Sequence, residues 1–188
     1  MKLVIFDIDG TLIDSKKMIF TAFKMASEKH NVKVPEKPAI LKGVGLSLPE
    51  AVRDLYPSLP ENMCISIAES YKDAFTRLRA SKTDCPLTSL FPGVLETLKI
   101  LASYSDFQLA IATGKSKSGV DNDLKIHNIL SFFHNIQTSD DHPSKPDPAM
   151  LISLLAETGI PVSSTIMIGD TSFDMKMAKS INVMTIGV

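Results

Sequence analysis

An apolar run that ends in two carboxylates constrains this chain more than any other feature. Residues 2–14 read KLVIFDIDGTLID, with Leu, Val, Ile and Phe at positions 3–6 and acids at Asp7 and Asp9. The run reads as a buried strand. Residues i and i+2 of a strand point the same way. Asp7 therefore stands where the strand runs out, and Asp9 and Thr11 share its side if the chain stays extended. Carboxylates at the end of a buried strand are costly unless something cationic pairs with them. A hard divalent cation fits, because carboxylate oxygens are what such ions bind.

The chain has 188 residues, room for one domain or one domain with a modest insert. With 44% hydrophobic and 22% charged residues the composition is that of a soluble globular protein. A net charge of −1 gives no pull toward nucleic acid or an anionic membrane. No apolar run approaches the ~20 residues of a spanning helix, and Asp7 and Asp9 interrupt any signal peptide. Cys64 and Cys85 are too few for a disulfide framework and read as thiols without function. A reducing cytoplasm is the expected setting.

Periodicity divides the chain. Strands are expected at residues 2–8, 107–112, 135–138, 165–168 and 183–188. After the first strand come helices only. One spans 15–30, with Ile19, Phe20, Phe23 and Ala26 at helical spacing and Asp14 or Ser15 as its cap. A proline-broken stretch at 34–38 follows, then a short helix after Ser47 and a long amphipathic one over 62–80. From residue 94 onward strands alternate with helices at 94–102, 116–127, 146–158 and 172–180. Such alternation implies a parallel sheet with right-handed crossovers. The fold class is thus α/β, a core of residues 1–14 and 91–188 broken by a helical insert over 15–90.

In an open parallel sheet, ligands bind beyond the carboxyl ends of the strands. The first strand brings Asp7 and Asp9 there, and the second brings Thr113, Gly114 and Lys115. The loop after the third brings Asp140, Asp141 and Lys145, and the fourth brings Gly169, Asp170, Thr171 and Asp174. Asp7, Asp9 and Asp170 make a hard oxygen site suited to Mg2+. Thr113 and Lys145 offer a hydroxyl and a fixed positive charge to a phosphate, and the amides near Gly114, opening a helix, add donors. An aspartate beside a metal and a phosphate can attack phosphorus. A second, Asp9, can protonate the leaving oxygen and then deprotonate water.

These four spaced signals resemble the motifs of the haloacid dehalogenase (HAD) superfamily: Asp7-Ile8-Asp9-Gly10-Thr11, Thr113, Lys145 before Pro146, and Gly169-Asp170 with Asp174. The resemblance covers nearly the whole chain. It implies a Rossmann-like core of strand order 3-2-1-4-5 with a helical cap, like that of the phosphoglycolate phosphatases and β-phosphoglucomutases. It implies Asp7 as nucleophile and Asp9 as acid/base. Mg2+ would be bound by Asp7, the Asp9 carbonyl and Asp170, with Asp174 supporting the metal shell, and Thr113 and Lys145 would hold the phosphoryl group. Dehalogenation is disfavoured, because those members lack an acid at the position of Asp9.

The insert is expected to choose the substrate, since a cap closes over the leaving group. Its candidate contact is the glycine-containing segment 42–47, where Lys42 can pair with a substrate carboxylate or phosphate, or else is a solvated turn residue. Arg53, Arg77 and Arg79 read as solvated, Met18, Met25 and Met63 as core filler, and His142 as a solvated loop residue. The chain ends straight after the fifth strand where relatives usually continue, so an uncovered sheet edge is expected. The expected activity is a Mg2+-dependent phosphatase of a small phosphorylated metabolite, acting as a monomer or homodimer. A phosphomutase, or a non-catalytic binding protein, are the alternatives.

Overall fold

A computed structural model describes residues 1–80 and 88–188. Cys85 lies outside the described residues. The chain groups into two compact units, one of Met1–Ile13, Gly45–Ser47 and Leu90–Val188, the other of Asp14–Val44 and Leu48–Ser89.

The first unit is an α/β sandwich. In chain order its main strands are β1 (Lys2–Phe6), β4 (Phe107–Thr113), β5 (Asn135–Thr138), β6 (Thr165–Gly169) and β7 (Met184–Gly187), and its helices are α5 (Val94–Ser103), α6 (Lys117–Ile126), α7 (Ala149–Thr158) and α8 (Ser172–Lys179). Two short strands, β2 (Ile13–Asp14) and β3 (Ser89–Leu90), form a second small sheet. The five-stranded sheet is parallel in the order β5-β4-β1-β6-β7, the predicted 3-2-1-4-5. β1 is central, with Val4 opposite Leu109 on one side and Ile166 on the other.

Alternation sorts the core. Leu3 and Ile5 pack with Met150, Leu151 and Leu154 of α7 and with Met177 and Ala178 of α8. Val4 and Phe6 pack with Leu98 of α5 and with Val120 and Leu124 of α6. Both faces of the strand are therefore apolar, and the first residue beyond it on the α7/α8 face is Asp7.

The second unit is helical: α1 (Lys16–Lys29), α2 (Lys37–Lys42), α3 (Leu48–Leu55) and α4 (Glu61–Ala80). Met18, Phe23, Ile40, Val52, Ile67 and Phe75 belong to one hydrophobic cluster, with Met25 and Met63 against its margin. Phe23 and Tyr71 stack with ring centroids 4.5 Å apart. The buried Ser27 hydroxyl donates to the Phe23 carbonyl (2.6 Å) and meets Tyr56 Oη (2.6 Å). Helix α2 departs from the expected proline break. Pro38 sits in its first turn, where the missing N–H has no helical partner to lose. Helix α7 begins three residues later than expected, with Pro148 at its N-cap and the Ala149 N–H held by Asp147 Oδ1 (2.9 Å). No helix among the described residues is long and apolar enough to cross a membrane.

Candidate active site

The chain does not stay extended past β1. The Ile8 carbonyl accepts N–H groups from Leu12 and Ile13, both at 2.9 Å, which folds residues 8–13 into a tight turn. Gly10 takes φ +94° there, and a Cβ on it would collide with the Asp170 carboxylate. Only glycine meets both conditions. The turn separates the two acids of the opening motif.

Asp7 goes inward. It is 1% exposed, its Oδ1 accepts from Lys145 Nζ at 2.7 Å, and its Oδ2 has no hydrogen-bond partner among the described residues. Lys145, fully buried, also donates to Asp174 Oδ1 at 2.7 Å. Asp174 is itself fully buried, and its Oδ2 accepts the Thr171 backbone N–H (3.1 Å) and hydroxyl (2.7 Å) as part of a capping box that opens α8. Asp170, exposed at the end of β6, accepts the Thr11 hydroxyl on Oδ1 at 3.2 Å. Thr11, which an extended chain would have set on the side of Asp7, instead steadies an acid at another strand end.

One oxygen from each of Asp7, Asp170 and Asp174 lies within 4.8 Å of the others. Three acids and one lysine at one strand edge leave excess negative charge, and the uncommitted Asp7 Oδ2 is a buried acceptor without a donor. A hard divalent cation fits this oxygen set. Burial raises the Asp7 carboxyl to about 7, opposed by Lys145 and assisted by Asp174 and Asp9. Burial, then Asp174, raises Asp170 as well, against the Thr11 hydrogen bond. For Lys145, burial alone would lower the pKa, but Asp7 and Asp174 carry it upward.

Asp9 goes elsewhere. Its Oδ2 stands 2.9 Å from Lys115 Nζ, and the same nitrogen is 3.0 Å from Oδ2 of Asp123 on α6. Thr113 ends β4, buried, with its Oγ1 accepting from the Lys115 N–H at 3.3 Å. The loop after β5 braces the same corner: Ser139 Oγ donates to the Gly114 carbonyl (2.8 Å), and Asp140 Oδ2 accepts from the Lys117 N–H (2.8 Å). The three residues Gly45–Ser47 close on it too. The Ser47 N–H donates to Ser144 Oγ at 2.7 Å, and a Cβ on Gly114 would collide with the carbonyls of Gly45 and Leu46.

The sequence-predicted residues therefore fall into groups. Asp7, Lys145, Asp170 and Asp174 form one cluster, and Asp9 is tied to Lys115. Thr113 and Gly114 stand at the next strand end. Lys42, the last residue of α2, belongs to the helical unit and is exposed. His142, expected to be solvated, pairs with Gln137 Oε1 at 2.6 Å. Sequence reasoning missed Asp123. The signal available was an acid set beside the apolar positions Val120 and Leu124 of its helix.

Comparison with known proteins points to one family. Residues 4–188 match the family described as haloacid dehalogenase-like hydrolase. A Dickeya dadantii protein named probable phosphatase IndB is 32% identical, over 99% of this chain and 80% of its own length. A phosphoglycolate phosphatase from Pseudomonas syringae pv. tomato is 31% identical, over 97% of this chain and 67% of its own. The crystal structure of a hydrolase from Pseudomonas syringae superposes with TM-score 0.85 at 26% identity, covering 100% of this chain and 84% of that one.

Proposed function

The chain belongs to the haloacid dehalogenase-like hydrolase family, and from that premise we propose that it is a Mg2+-dependent phosphatase of a small, phosphoglycolate-like metabolite. The observation that carries this reading is Asp7: a buried carboxylate with one oxygen on Lys145 and the other uncommitted, beside Asp170 and Asp174. The phosphatase names of its relatives support it. The buried free thiol of Cys64 suits a reducing cytoplasm.

In this reading Asp7 Oδ2 attacks phosphorus, and the bond from phosphorus to the leaving oxygen breaks. Asp9 gives that oxygen a proton, so the alcohol departs neutral. Asp9 then takes a proton from water as the water oxygen attacks phosphorus. The Asp7–phosphorus bond breaks, returning its electron pair to the Asp7 carboxylate. Lys145 holds Asp7 through Oδ1, which leaves Oδ2 uncommitted, and, with Thr113 and the amide of Gly114, receives the phosphoryl oxygens. Asp7, Asp170, Asp174 and the Asp9 carbonyl would hold Mg2+, which when bound offsets the carboxylate charge and polarises the phosphoryl group.

A screen of phosphorylated metabolites with Mg2+, run beside Asp7→Asn, tests the reading. Free phosphate released by the native protein and not by Asp7→Asn is the expected result. Equal, slow release by both proteins would remove the enzyme reading. Isomerisation of a hexose phosphate without phosphate release would make it a mutase.

A further inference from the structure

The reaction above uses Asp9 but assigns nothing to the two groups that hold it. The Lys115 side chain is 9% exposed, and its Nζ bridges Asp9 Oδ2 and Asp123 Oδ2 at 2.9 and 3.0 Å. Asp123 is 1% exposed and lies among the inward residues Val120 and Leu124 of α6. A path for the lysine is built into the helix. A Cβ on Gly119 would stand 2.8 Å from Lys115 Cγ and 3.0 Å from its Cδ, so the stem crosses a position that only glycine leaves open.

A lysine ammonium on its four-carbon stem is a mobile point charge. Paired with Asp9 alone it could follow that carboxylate through many orientations. Anchored on a buried acid of a helix, it cannot. Taking Lys115 and Asp123 out of water is costly, and an exposed pair would give the same net charge without that cost. The two opening acids also have separate lysines, Lys145 for Asp7 and Lys115 for Asp9. The arrangement thus fixes the direction of one carboxylate independently of the other.

We propose that Lys115, anchored by Asp123, is a positioning residue that aims the Asp9 carboxylate for its two proton transfers. The proposal rests on the phosphatase reading. It separates the two steps of the reaction. A p-nitrophenolate leaving group departs as an anion, carrying the electron pair of its broken bond to phosphorus, so phosphorylation of Asp7 needs no proton from Asp9. Release of the phosphoryl group still requires Asp9 to take a proton from water. An alkyl phosphate needs Asp9 in both steps.

The test compares native protein, Asp7→Asn, Lys115→Met, Lys115→Arg and the double variant Lys115→Met/Asp123→Asn. The double variant removes the buried acid's charge together with its cation, and so keeps the test alive if Lys115→Met alone does not fold. Rapid mixing with p-nitrophenyl phosphate and Mg2+ should show, for Lys115→Met or the double variant, a burst of about one nitrophenol per site. Turnover should then run roughly 100-fold below native, the scale of one general acid–base contribution. With this substrate kcat/KM, set by binding and by phosphorylation of Asp7, should change little, so KM falls together with turnover. With glycolate phosphate as the alkyl probe, the burst itself should slow by a similar factor. Lys115→Arg should recover much of the loss. Turnover within about threefold of native in a folded Lys115 variant, while Asp7→Asn is dead, would overturn the positioning role and leave the phosphatase reading intact. So would a folded variant that loses the burst, since Lys115 would then act on Asp7 or on phosphate binding. A native protein inert toward both substrates would overturn both readings.

Discussion

At the scale of single residues, Asp7 shows most directly what burial does. Desolvation raises its carboxyl from 3.8 to about 7 against the pull of Lys145. The raised value means the metal-free folded chain holds a proton that the unfolded chain releases near pH 4. The stability contributed by that proton is complete below about pH 4 and is lost as pH rises through about 7. A cation must displace the same proton, so Mg2+ binding strengthens over this window. Thermal melts should show little rise in Tm with Mg2+ near pH 5.5 and a growing rise up to about pH 8, with Asp7→Asn nearly flat. A pH-independent rise in the native protein would place the ion away from Asp7. Lys145 gives a second expectation. Lys145→Met leaves Asp7 and Asp174 buried without their cation, at a cost of about 3–5 kcal/mol in denaturant titration. A cost below about 1 kcal/mol would show that the acids protonate or find other partners.

At the scale of elements, the turn after β1 and the start of α8 do the positioning. Gly10→Ala forces a Cβ into the Asp170 carboxylate at a positive φ. It should destabilise by more than about 1 kcal/mol and weaken the Mg2+-induced rise in Tm. An unchanged response to Mg2+ would mean that Asp170 is free to move. Thr171 caps α8, accepting from Phe173 and Asp174 while its own hydroxyl holds Asp174 Oδ2. Thr171→Val removes both functions and should cost about 1 kcal/mol by chemical denaturation. The elements themselves were largely legible, because hydrophobic periods of two and 3.6 are local properties of a chain. Helix α2 was hidden by Pro38, since a proline breaks a helix interior but is tolerated in a first turn, and six residues carry too little periodicity to outweigh it. β2 and β3 were hidden because strands of two residues carry no period at all.

At the scale of the molecule, the helical unit closes its own core. Its cluster around Met18, Phe23, Val52 and Ile67 is separate from the two clusters that flank the sheet. Ile67→Ala, at a fully buried position, should cost about 2–5 kcal/mol. Hydrogen exchange should report the loss in α1 and α4 while β1 and β4 keep their protection. Equal loss in the sheet would show that the two units unfold as one.

The residues that reach the carboxyl ends of the strands were readable from the chain alone. Side-chain alternation and strand length place Asp7, Thr113 and Asp170 there whatever the rest does, and sequence alone determined that acids and cations would share one edge of a parallel sheet. It did not determine which cation serves which acid. Lys115 and Lys145 both follow strand ends, and either could have faced Asp7. The parallel packing of β1 between β4 and β6, and the turn at Gly10, decided it. They send Asp7 to a lysine 138 residues away and Asp9 to Lys115. Such pairings depend on how separate strands register and how helices pack across them. No local period records that, and so Asp123, which completes the second pair from within α6, became visible only in three dimensions.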